Sequence, residues 1–273
     1  MPLIALASVK SSPGVTTAAL ALASTWKSAE RRLLVEADPS GGDLGLWLGL
    51  PAAAGLAGLA AAARHGHQAD LPWRHALELA GGTHLIAAPA GADQAAACVA
   101  ALTAVSLPEE LAAGAEPVLA DCGRLYPGSP ALPVAAAAAV TLLVIRPRVS
   151  ELAHLEPRIR GLEEAGLRLA LILTAAGRRP PGEPSYPARE IAAALGVPVR
   201  ATVPDDPRAA GQLYRRAGDP GPARQLPRLP LLRQAAAVAR ALDAAPGCPP
   251  AAPGLPAEPQ DCDQTEVSAG DRG

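Results

Sequence analysis

The chain has no phenylalanine, three tryptophans and three tyrosines. Aromatic rings cannot fill most of a core here, so Ala, Leu, Val and Ile must, with helices packed closely through alanine. The four cysteines, Cys98, Cys122, Cys248 and Cys262, form no C-x-x-C pair. That spacing points to neither a zinc site nor a disulfide framework and fits a reducing cytoplasm. No run approaches the roughly 18 consecutive apolar residues of a membrane-spanning helix, and the apolar N-terminus is short and lacks signal-peptide flanks. A formal net charge of −2 gives the whole molecule no general attraction to polyanions. Lysine is scarce, and the bias toward Ala, Arg, Pro and Gly makes arginine counts poor evidence of function. No G-x-G-x-x-G follows the first apolar run, which argues against a dinucleotide-binding dehydrogenase or transferase.

What the chain does have is length and apolar content: 273 residues, 49% hydrophobic, enough for one large α/β domain. That domain is expected over residues 1–245. Residues 246–273 are Pro-rich, then acidic and polar, and read as a disordered tail. Apolar runs at 3–9, 33–38, 83–88, 116–121, 140–145, 167–173 and 197–203 read as strands. Segments with helical spacing separate them, at 17–29, 44–50, 52–64, 73–79, 92–105, 135–139, 150–165 and 188–195, and a last helix is expected at 229–244. Strands alternating with helices predict right-handed βαβ units, hence a doubly wound, mostly parallel sheet flanked by helices. His65 and His67 do not share a helical face, and no neighbouring ligand completes a metal site.

The N-terminal stretch organises the rest. A buried strand leads into Lys10-Ser11-Ser12-Pro13-Gly14-Val15-Thr16-Thr17 and then an alanine-rich helix. Such a loop aims backbone N–H groups and the positive end of a helix dipole at one spot, which suits a phosphate. Gly14 and the two threonines match the P-loop pattern G-x-x-x-x-G-K-[ST], but Val15 stands where lysine belongs. Two more stretches accompany it: Leu33-Leu34-Val35-Glu36-Ala37-Asp38-Pro39-Ser40-Gly41-Gly42-Asp43, and the apolar run from Val118 that ends in Asp121-Cys122-Gly123. Both place a carboxylate near the end of a strand, where ligands of doubly wound sheets bind.

The first stretch resembles the deviant Walker A motif of the ParA/MinD family, K-G-G-x-G-K-T-[TS]. On that pattern Lys10 is the signature lysine, and Ser11 and Ser12 replace two glycines. Pro13 takes the variable place, Gly14 is retained, Val15 replaces the P-loop lysine and Thr16 takes the Mg²⁺ hydroxyl place. The second stretch is similar to the family's L-x-D-x-D-P-Q-G-N segment, with Asp38 at the water-orienting aspartate and Glu36 at the earlier acidic place. The third resembles Walker B, although Cys122-Gly123-Arg124 replaces the usual proline pair. Thr174 takes the place of an asparagine that packs on the base. Val203-Pro204-Asp205-Asp206 looks like the segment whose backbone faces adenine. The resemblance covers about residues 3–218.

The resemblance implies a P-loop fold and cofactors ATP and Mg²⁺. Catalytic roles fall to Asp38 and Lys10. Nucleotide contacts fall to Ser11, Ser12, Pro13, Gly14, Val15, Thr16, Thr17, Thr174 and Pro204, and Mg²⁺ coordination to Thr16 and Asp121, partly through water. The loss of the lysine implies weak binding and slow or absent hydrolysis. The resemblance further implies a homodimer on nucleotide binding, with Lys10 reaching across it, and a cargo or regulator protein. Nonspecific DNA is a weaker candidate partner, through Arg208, Arg215, Arg216, Arg224 and Arg228, which stand among Asp205, Asp206 and Asp219. The helix at 229–244 carries few bulky residues and modest basic charge, so little membrane affinity is expected. The alternative is a non-catalytic scaffold resembling the TadZ/CpaE localisation proteins, which carry the same fold with an eroded Walker A loop.

Overall fold

A computed structural model describes residues 3–51, 55–66, 68, 70–79, 81–175, 186–215 and 229–244. The expected tail at 246–273, His67, Arg216, Asp219, Arg224 and Arg228 lie outside the described residues. Eight strands form one sheet: β1 (Leu3–Ser8), β2 (Arg32–Glu36), β3 (Leu77–Glu78), β4 (Thr83–Ile86), β5 (Val118–Arg124), β6 (Val140–Ile145), β7 (Leu169–Thr174) and β8 (Val199–Val203). Their order is β3-β4-β2-β5-β1-β6-β7-β8. All neighbours are parallel except β3 and β4. The expected doubly wound sheet is therefore present.

Successive side chains of a strand face opposite sides of the sheet. In β1, Leu3, Ala5 and Ala7 enter one core cluster while Ile4 and Leu6 enter the other. Leu33, Val35 and Leu34 of β2 divide in the same way. Both faces are thus buried, which is why these strands read as continuous apolar runs without polar alternation. One face is covered by α3 (Leu56–Ala63), α5 (Ala92–Ala104), α6 (Leu107–Ala113), α7 (Leu132–Ala137), α8 (Val149–Glu164) and α9 (Ala188–Leu195). The other is covered by α1 (Val15–Thr25), α2 (Leu44–Trp47), α10 (Pro207–Leu213) and α11 (Pro230–Ala244). The short α4 (Leu71–Arg74) precedes β3.

Several expected boundaries move. The first helix was expected to reach residue 29 but ends at Thr25. Ser24 and Thr25 turn their hydroxyls back onto the carbonyls of Leu20 and Ala21, and Trp26 adopts an extended conformation with its ring buried in the core. Burial of that indole outweighs continuation of the helix. The helix expected at 73–79 is a turn of helix followed by β3, which pairs antiparallel with β4. The glycine pair Gly81-Gly82, both at positive φ, sits between these two strands. Ladder pairing there overrides a helical composition.

β5 does not stop at Asp121 as expected. It runs on to Arg124, and its register against β1 shifts between Leu6, opposite Asp121, and Ser8, opposite Arg124. The extra residue is absorbed near Gly123, at φ +58°, in the manner of a bulge. A Cβ at this position would overlap the Asp38 carboxyl group. Gly123 thus supplies both the left-handed conformation and the space in which Asp38 lies. Gly123→Ala should lose about 1–3 kcal/mol of stability from backbone strain alone, and more from displacing Asp38. Urea unfolding of the two proteins checks this.

Candidate functional site

The candidate residues come from distant points of the chain and meet because each stands at or near the carboxyl end of a strand. The phosphate-type loop follows β1, Asp38 follows β2, and Asp121 lies near the end of β5. Arg146 follows β6, Thr174 ends β7, and Pro204 follows β8. In a doubly wound sheet this edge is the ligand-binding edge.

Gly14 is the residue before α1, and its carbonyl accepts the first intrahelical bond, from Ala18 at 2.9 Å. No side chain caps the helix. The first-turn amides therefore keep their donors outside the helix, aimed at the loop. Ser12, Pro13, Gly14 and Thr17 line a cleft of about 230 Å³ together with Arg146, Thr174, Ala175, Val203 and Pro204. Asp205, Asp206 and Ala210 complete its far wall with Leu231. The segments expected to meet phosphate and base therefore form one concave surface.

Not every expected residue faces it. Lys10 and Ser11 are exposed and do not line the cleft. Val15 is 7% exposed and packs in the core beneath the loop. Thr16 does not line the cleft but lies close enough to Asp121 to favour its charged form. The Thr17 hydroxyl is hydrogen-bonded to the Tyr214 hydroxyl, and the Tyr214 ring lies 4.3 Å from that of Trp47 on α2. This Tyr214 link was not foreseen, because 197 residues separate the partners.

Three carboxylates cluster beyond the loop. Glu36 is 1% exposed, and its Oε1 accepts from the amides of Asp43 at 2.8 Å and Leu44 at 2.9 Å. Its Oε2 accepts from the Ala88 amide at 2.9 Å. Burial raises its pKa, and those three amides work against the rise. Glu36 is consequently a backbone clamp that fixes the Asp38-to-Asp43 turn against the end of β4. Asp38 Oδ1 accepts from the Ser40 amide at 2.8 Å, and its carboxyl stands over Gly123.

Asp121 is fully buried. Its Oδ1 accepts from the Gly123 amide at 3.0 Å, while Oδ2 has no hydrogen-bond partner. Burial pushes its pKa up to about 7, against the pull of Thr16 and the Gly123 amide; Glu36 and Asp38 add repulsion. A buried carboxylate with an orphan oxygen, a threonine hydroxyl and a second acid nearby offers hard oxygen donors, which suit Mg²⁺. Among the described residues no group of three or more His, Cys, Asp or Glu side chains could hold a metal by itself. The donor set therefore fits an ion shared with phosphate and water, the usual situation for Mg²⁺. Cys122 is fully buried, and burial pushes its thiol up, so it is no nucleophile.

Sheet order and cleft together match a known architecture. The fold is that of the ParA and MinD ATPases. A ParA family ATPase from Chlorobium tepidum TLS superposes with a TM-score of 0.68 at 18% identity, covering 88% of this chain and 98% of that one. The septum site-determining protein MinD from Pyrococcus horikoshii OT3, complexed with Mg-ADP, gives 0.68 at 20% identity, covering 90% and 98%. A chain of the MinC:MinD cell division protein complex from Aquifex aeolicus gives 0.65 at 17%, covering 89% and 96%. No family model and no curated protein matches the sequence. Among the described residues no single helix is long and apolar enough to cross a membrane.

The raised pKa of Asp121 has a sign that can be measured. Its folded value, about 7, lies above the ordinary 3.8. The stability it contributes is therefore full below about pH 4 and is lost as the pH rises toward about 7. Without Mg²⁺, the wild type should lose stability relative to Asp121→Asn across that window, by up to the order of 4 kcal/mol. Denaturant midpoints of both proteins between about pH 4 and pH 8 check this.

Proposed function

We propose that the chain binds ATP with Mg²⁺ in this cleft and acts as a nucleotide-responsive dimer of the ParA/MinD type that positions a cargo. The observation that carries this reading is the convergence of the loop amides, Thr16, Asp38 and the orphaned Asp121 Oδ2 at one sheet edge. The loop amides would cradle phosphate, with Thr16 and Asp121 as the metal-side donors. Thr174 and Pro204 would flank the base, and Asp38 would orient a water. Mg²⁺, when bound, supplies charge neutralisation at the phosphates. The complex of a MinD with Mg-ADP supports this use of the fold.

Hydrolysis is slow or absent in this proposal, because Val15 lends no charge to the phosphates and charge stabilisation carries most of phosphoryl transfer. Lys10, exposed and outside the cleft, is free to act across a dimer. The MinC:MinD complex supports a protein regulator or cargo as partner. Nonspecific DNA has less support, since Asp205, Asp206 and Asp219 stand among the five arginines in the sequence and the net charge is −2. We place the protein in the cytoplasm.

A second reading is a scaffold that binds no nucleotide. The packing of Val15 into the core and the engagement of Thr17 by Tyr214 favour it. Calorimetric titration with ATP-Mg²⁺ separates the two. Saturable binding, lost in an Asp38→Ala, Asp121→Ala double variant, with turnover near background, is the expected outcome. No heat at millimolar ATP, with the circular dichroism of a folded protein, leaves the scaffold. Turnover at the ordinary rate of such ATPases contradicts the slow-hydrolysis claim.

A further inference from the structure

The loop lacks the lysine that normally meets the phosphates, and Lys10 does not line the cleft. One cation does line it among the described residues: Arg146, just past the end of β6. Its Nη2 donates to the Ser12 carbonyl at 2.8 Å, so the guanidinium lies directly against the loop. From behind, Glu151 on α8 holds it. Nη1 donates to Glu151 Oε1 at 3.1 Å, and the Arg146 backbone amide donates to Oε2 at 2.8 Å. The Glu151 side chain is only 4% exposed, that of Arg146 31%. A buried acid thus fixes both the backbone and the side chain of an arginine whose other face opens to the cleft.

A guanidinium carries five N–H donors. The described bonds use Nη1 toward Glu151 and Nη2 toward Ser12, which leaves donors for an oxyanion placed between the loop and β6. We infer that Arg146 replaces the missing loop lysine as the cation that binds the phosphates of the nucleotide, approaching from β6 and not from within the loop. This rests on the reading of the cleft as a nucleotide site. Glu151 offsets part of the charge, so the contribution is that of directed, charge-assisted hydrogen bonds. A planar fork held at two points is also pre-organised for a phosphate oxygen, so less freedom is lost on binding than for a lysine.

The test is calorimetry of the full chain with ATP-Mg²⁺ and with inorganic tripolyphosphate, which has no base. Arg146→Gln should weaken both by about tenfold or more. Val15→Lys introduced into that variant should recover much of the loss, because it restores a cation at the phosphates without restoring the Ser12 and Glu151 bonds. Arg146→Gln binding both ligands as the wild type does overturns the inference and leaves the nucleotide reading standing. Weakening that Val15→Lys does not relieve, accompanied by a lowered unfolding midpoint, assigns Arg146 to holding the loop and also overturns it. A wild type that binds neither ligand defeats the nucleotide reading itself, and the inference with it.

Discussion

The arrangement of the site depends on one buried carboxylate, Glu36. An ionised acid away from water is costly unless its oxygens are satisfied, and here three backbone amides satisfy them. The same bonds tie the start of α2 and the end of β4 to the end of β2. The turn between Glu36 and Asp43 is thereby closed into a fixed loop, and Asp38 is held over Gly123. The Ala37 amide bonded to the Asp121 carbonyl at 2.7 Å joins this loop to β5. Asp38 and Thr16 then both stand close enough to Asp121 to act on its charge.

That closeness has an electrostatic consequence. Asp121 is desolvated and repelled by two other acids, so the protein alone stabilises its charge poorly. A divalent cation brought in with phosphate would relieve the repulsion and engage the oxygen left without a partner. On the other side of the loop the balance is reversed: Val15 fills core space where a cation would stand, and Arg146, held by Glu151, brings positive charge from β6. Under the proposed reading, the donors for a metal–phosphate group remain, while the positive charge comes from β6 instead of from the loop.

Much of this was legible in the sequence. The apolar runs of β1, β2 and β5 through β8 could be read directly, because burial on both faces removes polar alternation. Asp38 and Asp121 were legible because each closes such a run. What failed has physical reasons. The 73–79 segment has helical composition, but pairing with β4 decides its structure. α10 was missed although Asp206 caps it, its Oδ1 accepting from the Ala209 amide at 3.0 Å, and Pro207 opens it. Glu36 stood out only as the earlier acid of its segment; its clamping role was hidden, because its amide partners lie 7, 8 and 52 residues away and only folding brings them in. Arg146 was hidden in an arginine-biased sequence, and its loop contact spans 134 residues.

In the proposed arrangement phosphate sits on the loop at the β1 edge with Mg²⁺ beside Asp121. Phosphorus-31 resonance of ATP-Mg²⁺ titrated with the purified protein tests it most directly. The β- and γ-phosphate signals should shift or broaden with saturation, and Asp121→Ala should abolish the effect. Unchanged signals at millimolar concentrations, from a protein folded by circular dichroism, would contradict it.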